Sequence, residues 1–232
     1  ALCQAYRQLT GKANVAIQME GHGREPMHEP LMTDRTVGWF TSVYPIVAEG
    51  ISGDTRHDIR LVKETFRSVP NKGTGYGIQQ YIGSGKGDEP LRTDLMPLIG
   101  FIYLGQMEEN RSDDLLVPTS DMSSGQTVAT ENASFAPSID INCIVEEGTF
   151  HAAMTYDTAV WTDSQAQALA DAFVIRLQTI ADHTSKVTRT EPTASDIGAE
   201  GWTDGQYQTI TDRFAARGES IERIYPLTPM QE

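Results

Sequence analysis

Apolar and polar residues alternate from Asn14 to Glu20, which predicts a strand with Val15, Ile17 and Met19 on one face and Ala16, Gln18 and Glu20 on the other. Gly21 and Gly23 follow at once and allow a sharp turn or a close approach to a ligand. Residues 1–10 read as the end of a helix entering this strand, so a start in mid-protein is expected. Thr36 to Val47 is rich in aromatic and β-branched residues and predicts a second strand, with Pro45 marking an edge or a strand end. Residues 48–54, with Gly50 and Gly53, form a turn. Between Thr55 and Ser68 the apolar Ile59, Val62 and Phe66, continued by Val69, fall at helical intervals, and Pro70 stops the helix. Its other face carries Arg56, Lys63, Glu64 and Arg67, read as solvated.

The glycines of Asn71 to Ile82 surround Tyr76 in a loop-to-helix segment. They do not lie between a strand and a helix N-terminus of a βαβ unit, so a nucleotide loop is excluded. Residues 83–94 have loop composition, the apolar run Leu95 to Leu104 predicts a buried strand with Pro97 near its start, and Glu108 to Ser138 reads as a long polar loop. Ile139 to Tyr156 has the pattern of a β-hairpin turning at Glu146-Glu147-Gly148. Thr162 or Asp163 caps a helix running to about His183, with Leu169, Phe173, Leu177 and Ile180 among its apolar positions. After Lys186 few large apolar residues remain, which reads as a linker, and 203–218 predicts a short helix packed on a neighbouring domain. There is no internal repeat.

The 232 residues are 39% hydrophobic and 22% charged, as in a soluble globular protein large enough for a sizeable core. No apolar run has the length of a membrane span, and the N-terminus lacks the basic and apolar regions of a signal peptide. Lys and Arg total 18 against 32 Asp and Glu, a net charge of -14 that repels polyanions and argues against nucleic acid. Cys3 and Cys143 are far apart, and Cys143 shares the apolar face of its strand with Ile139, Ile141 and Val145, so a buried structural thiol in a reducing, cytoplasmic setting is expected. The five histidines lack metal-binding spacing, and no metal is expected.

Chemistry concentrates in Glu20-Gly21-His22-Gly23-Arg24-Glu25. A carboxylate at a strand end beside a glycine turn fits a general acid or base, but spacing alone favours a solvated strand exit. EGHGRE, with DRTVGWFTSVYP (Asp34 to Pro45), VPNKGTGYG (Val69 to Gly77) and YLGQ (Tyr103 to Gln106), resembles the epimerization domains of non-ribosomal peptide synthetases, relatives of the condensation domains. YPLTPMQE (Tyr225 to Glu232) resembles the opening motif of a following condensation domain.

The resemblance implies an α/β, chloramphenicol-acetyltransferase-like fold, with 1–185 as the C-terminal lobe of a two-lobed, V-shaped domain, 186–220 as linker with a short helix, and 221–232 as the start of the next domain. It implies L-to-D epimerization of an aminoacyl or peptidyl thioester on the phosphopantetheine of a peptidyl carrier protein, with no directly bound cofactor. The other expected partners are the N-terminal lobe and the downstream condensation domain. Glu20 matches the family's acid/base glutamate. The family's opposing histidine lies in an HHxxxDG motif of the N-terminal half, and this sequence has no His-His pair. Arg35 is implied as an organiser of active-site charge, with a surface salt bridge to Asp34 or a nearby carboxylate as the equal alternative, and Tyr103 as a donor to the thioester or enolate oxygen. His22, Trp39 and Tyr76 are placed on the substrate side. His22 is read first as a loop-positioning residue, and Trp39, Phe40 and Tyr44 as core or channel-wall aromatics. Ile102 departs from the family's asparagine and cannot donate a hydrogen bond. A non-catalytic carrier-docking module is the alternative.

Overall fold

The period-two run becomes β1 (Val15–Gly21), and its buried residues are those the alternation selects: Val15, Ile17 and Met19. The computed structural model describes residues 1–25, 33, 35–82, 99–107, 137–188, 192–199 and 201–225. Expectations for 83–94, 95–98, 108–136 and 226–232 lie outside the described residues. β1 is flanked by β2 (Ser42–Ala48), antiparallel to it, and by β3 (Ile99–Met107), parallel to it. β4 (Ile139–Glu146) runs parallel to β3, and β5 (Thr149–Tyr156) closes a hairpin with β4. The sheet order is β2-β1-β3-β4-β5. Pro45 therefore sits in an edge strand, where its missing N–H is tolerated. The strand expected from Thr36 begins only at Ser42.

Helices cover one face of the sheet. α1 (Leu2–Thr10) ends at Gly11, whose φ of 72° gives a left-handed cap. α4 (Asp163–Ser185) begins in a capping box in which Thr162 and Gln165 exchange hydrogen bonds, and it buries Leu169, Ala172 and Phe173. These helices pack on Ile17, Ile46, Ile99, Ile139, Ile141 and Cys143 in one core. Each fully buried isoleucine there contributes about 1.5–3 kcal/mol relative to exposure. The β4–β5 turn takes positive φ at both Glu147 and Gly148, which suits the right-handed twist of a hairpin.

α2 (Thr55–Arg67) is capped by Asp54, which accepts from the His57 backbone N–H at 2.7 Å. One turn on, Asp58 is buried and accepts from the Ser52 and Gly53 backbone, the Ser52 hydroxyl and the Gln4 amide, tying α1, the turn and α2 together. The 3-10 turn Pro70–Gly73 and α3 (Thr74–Tyr81) follow. A second 3-10 turn, Ala194–Ile197, and α5 (Asp204–Ala215) form a small cluster in which Ala194, Ile197, Ala199 and Tyr207 are buried.

Two expectations are corrected here. β3 is buried at its start, but Tyr103 and Leu104 are exposed. The polar face of α2 is not simply solvated: Lys63 and Arg67 both pair with Asp196, and Glu64 accepts from the Ser195 hydroxyl at 2.7 Å. Residues 192–199 of the expected linker are thus held on α2. α5 packs on this same segment, where the Tyr207 hydroxyl donates to the Pro192 carbonyl. Among the described residues no helix is long and apolar enough to cross a membrane.

Candidate active site

The turn after β1 is built by the charged residues of EGHGRE. Gly23 has a φ of 65°, and a Cβ there would collide with the Phe40 carbonyl, so only glycine fits. The Arg24 guanidinium donates to the carbonyls of Thr33 and Thr36, and it stacks over the Phe40 ring at 4.1 Å. It therefore fastens the segment carrying Arg35 from both sides. The Arg24 backbone N–H also donates to Nδ1 of His22 at 3.0 Å. His22 Nε2 lies 2.9 Å from one Glu25 oxygen, and Lys72 Nζ lies 3.1 Å from the other. The Glu25 side chain is 14% exposed, not the wet loop carboxylate its place before Pro26 suggests. It is spent on holding the turn to the 3-10 turn at Lys72.

Glu20 is different. It leaves β1 on the face away from the helices, together with Gln18, and it is exposed. Among the described residues no cation pairs with it. Desolvation against the sheet pushes its carboxyl above the usual glutamate value, and the negative charge of Asp140 pushes the same way. Asp140 arrives through the parallel register: Gln18 sits beside Gly100 and Gly100 beside Asp140. Ile102 lies two residues beyond Gly100 on the same face, next to Asn142 of β4.

The remaining expected residues are not all brought to this face. Tyr103 follows the alternation to the opposite side, where with Met19, Phe101 and Phe150 it lines an apolar groove of about 530 Å³ beneath α2 and α4. Glu20 and Tyr103 therefore stand on opposite faces. Arg35 is exposed in the segment that Arg24 fastens. Trp39, expected as a core or channel-wall aromatic, is 91% exposed; of the three aromatics only Tyr44 is buried, and Phe40 is taken up by Arg24. Tyr76 is half-buried and packs against the core, near Tyr44. Cys143 is fully buried, and its thiol is pushed up by burial, as expected for a structural cysteine.

The residues that sequence reasoning missed are Arg24, Glu25, Asp140 and Asn142. The signal for the last two was present: in the β4 alternation Ile139, Ile141 and Cys143 take the core, which puts Asp140 and Asn142 on the open face. What the pattern lacked was the β1–β3–β4 order that carries them toward Glu20.

The condensation-domain family profile matches residues 1–201. Among curated proteins, surfactin synthase subunit 1 of Bacillus subtilis is 35% identical over 84% of this chain, and bacitracin synthase 3 of Bacillus licheniformis is 34% identical over all of it. The chain spans only 5% and 4% of those relatives' lengths. Among solved structures, the epimerization domain from the third module of tyrocidine synthetase B superposes with a TM-score of 0.67 at 31% identity, covering 78% of this chain and 40% of that one. The condensation domain of the enacyloxin polyketide synthase shares the fold at a TM-score of 0.52 and 13% identity, over 83% of this chain and 36% of that one. With its mixed α/β sheet and its relatives among peptide synthetases, this chain belongs to the condensation-domain superfamily of non-ribosomal peptide synthetases.

Proposed function

We propose that the chain is the part of an epimerization domain that supplies Glu20 as one acid/base group for inverting a carrier-bound aminoacyl or peptidyl thioester. The observation that carries this reading is the division of labour within EGHGRE. Glu25, His22 and Arg24 are engaged in holding the turn, whereas Glu20 stands open on the polar sheet face with its carboxyl held more basic than usual. A base of raised pKa removes a carbon-bound proton more effectively at neutral pH. The likeness to the tyrocidine synthetase epimerization domain supports the same reading.

In the proposed reaction the thioester is presented on the phosphopantetheine arm of a peptidyl carrier domain, and no directly bound cofactor takes part. The Glu20 carboxylate takes the α-proton. The C–H electron pair moves onto the thioester carbonyl as an enolate. An acid on the opposite face, the histidine that the resemblance assigns to the N-terminal lobe, returns a proton to the other side of the α-carbon. In the reverse direction the roles exchange. By the resemblance, 186–220 links this lobe to a condensation domain beginning near 221, in a cytoplasmic multimodular enzyme. The separation of Tyr103 from Glu20 argues that Tyr103 does not donate to the same enolate without help from another segment.

One observation favours a second reading. Ile102, on the Glu20 face, offers no hydrogen bond where an amide would steady the enolate, as fits a module that docks the carrier without turnover. Incubating the complete domain with its loaded carrier in D₂O separates the two. Epimerization places deuterium at the α-carbon and scrambles its configuration, and docking alone does neither. Glu20→Gln in that domain is expected to cut inversion by about 10²-fold or more while carrier binding persists. Inversion at the unmodified rate would overturn the assignment.

A further inference from the structure

The open sheet face holds a second carboxylate that the reaction above does not use. Asp140 projects from β4 on the side away from the core, since its neighbours Ile139 and Ile141 are completely buried. It does not stand straight out over its own strand. Its Oδ1 lies where a side chain at Gly100 would begin, and a Cβ on Gly100 would strike both that oxygen and the Pro137 ring. The missing side chain on β3 therefore leaves a gap across which the Asp140 carboxylate leans from β4 toward β1. Gly100 is itself in register with Gln18, the residue that shares the Glu20 face one pleat earlier. The other Asp140 oxygen accepts from the Asn142 side-chain amide at 2.9 Å, which fixes the direction in which the carboxylate leans.

We propose that Asp140, aimed across the Gly100 gap and steadied by Asn142, is a positioning residue that keeps Glu20 an effective base on the open face. The proposal rests on the reading of Glu20 as the acid/base group. An anion near a carboxylate in a partly desolvated place favours the protonated form and makes the ionised form a stronger base.

The other groups around Glu20 leave this role to Asp140. On β2 its partner is Val43, and on β3 the residue of its face is Ile102. In the adjoining turn His22 and Lys72 are paired with Glu25, and Arg24 with the carbonyls of Thr33 and Thr36. Among the described residues Asp140 is thus the charged group that bears on Glu20, and both the Gly100 gap and the Asn142 hydrogen bond serve to place it there. The amide of Asn142 also stands beside Ile102, returning to this face a donor that Ile102 lacks.

The test uses the complete domain with its loaded carrier and follows two readouts. The first is the pH profile of α-proton exchange. Asp140→Asn is expected to move the acid limb to lower pH and to lower the plateau rate, whereas Glu20→Gln abolishes the limb. Asn142→Leu, which frees the carboxylate without removing it, is expected to move the limb in the same direction but less far. The second readout is carboxyl carbon NMR of Glu20 in the unmodified domain and in both variants. The Glu20 resonance is expected to inflect above the ordinary glutamate range in the unmodified domain and at lower pH once Asp140 is neutralised. Asn142→Leu keeps the test open where Asp140→Asn fails to fold. An unmoved acid limb in a folded Asp140→Asn domain overturns the proposal, and so does a Glu20 resonance that inflects at the same pH in the variants as in the unmodified domain; the epimerase reading survives both. If no exchange occurs in the unmodified domain but the Glu20 inflection moves in the variants, the effect of Asp140 on Glu20 stands and the epimerase reading falls.

Discussion

His22 and Glu25 face each other across the turn that leaves β1, His22 Nε2 at 2.9 Å from Glu25 Oε1, while the second Glu25 oxygen takes Lys72. Four residues separate Glu25 from Glu20, and the two carboxylates have opposite fates. One is enclosed between His22 and Lys72, and the other is left open.

Glu25→Gln is accordingly expected to weaken the turn and spare the chemistry. Its partners are well exposed, so the loss of stability is expected to be no more than about 1 kcal/mol by urea unfolding. Inversion by the complete domain should fall far less than with Glu20→Gln. A dead Glu25→Gln enzyme with normal stability would reverse the two roles.

Gly23→Ala meets two penalties at once, a left-handed backbone and a collision with the Phe40 carbonyl. A cost of at least about 1 kcal/mol is expected from the backbone strain alone. Chemical denaturation measures it, and an unchanged midpoint would show that the turn differs from the one described.

Arg24 holds the segment around Arg35 by a guanidinium fork and an aromatic stack, neither of which lysine reproduces. Arg24→Lys is expected to speed tryptic and chymotryptic cleavage within 35–41, while far-ultraviolet circular dichroism stays the same. Equal cleavage rates would mean that the fork does not restrain the segment.

Asp58 links pH to stability. Burial alone raises its pKa, but the hydrogen bonds from Ser52, Gln4 and Gly53 outweigh burial and leave it below the ordinary 3.8. A depressed carboxyl stabilises the fold fully above its unfolded pKa, and this contribution is lost as pH falls through the folded one. Stability should therefore decline below about pH 4 partly through this group. Asp58→Asn should flatten that part of the curve and cost about 1–3 kcal/mol at neutral pH, because buried donors lose their charged acceptor. A variant with unchanged acid sensitivity would show that other carboxylates govern it.

Asp196 joins Lys63 and Arg67 of α2, and its carboxyl is held well below the usual aspartate range. Desolvation opposes that shift, and Lys63, the Thr193 backbone and Arg67 override it. Limited proteolysis is expected to spare 192–199 in the unmodified protein and to open it in Asp196→Ala. Early cleavage there in both proteins would show that the segment does not stay on α2.

Much of this architecture is written in local periodicity. The alternation at Val15, Ile17 and Met19 gives β1, the Glu147-Gly148 turn gives the hairpin, and Thr162 with Gln165 gives the start of α4. Each depends on neighbours within a few residues. What was not legible depends on distant partners. Lys63, Glu64 and Arg67 look like a solvated face because Ser195 and Asp196 lie far along the chain. The exposure of Trp39 is likewise set by where other elements stop, and composition does not record that. Of the site, Glu20 could be placed from its own strand, while Asp140 needed the register of two parallel ladders.

That register also bears on how the molecule assembles. β1 with β2 and β4 with β5 are antiparallel pairs near in sequence, whereas β3 joins them by two parallel ladders between residues far apart in the chain. Pairings of that second kind carry the larger loop-closure entropy and form late. Glu20 and Asp140 ride on different antiparallel pairs, so neither pair alone holds both. Only when the central strand has locked between them do the two carboxylates share one sheet face, so a nascent chain caught before that step holds each of them without the other.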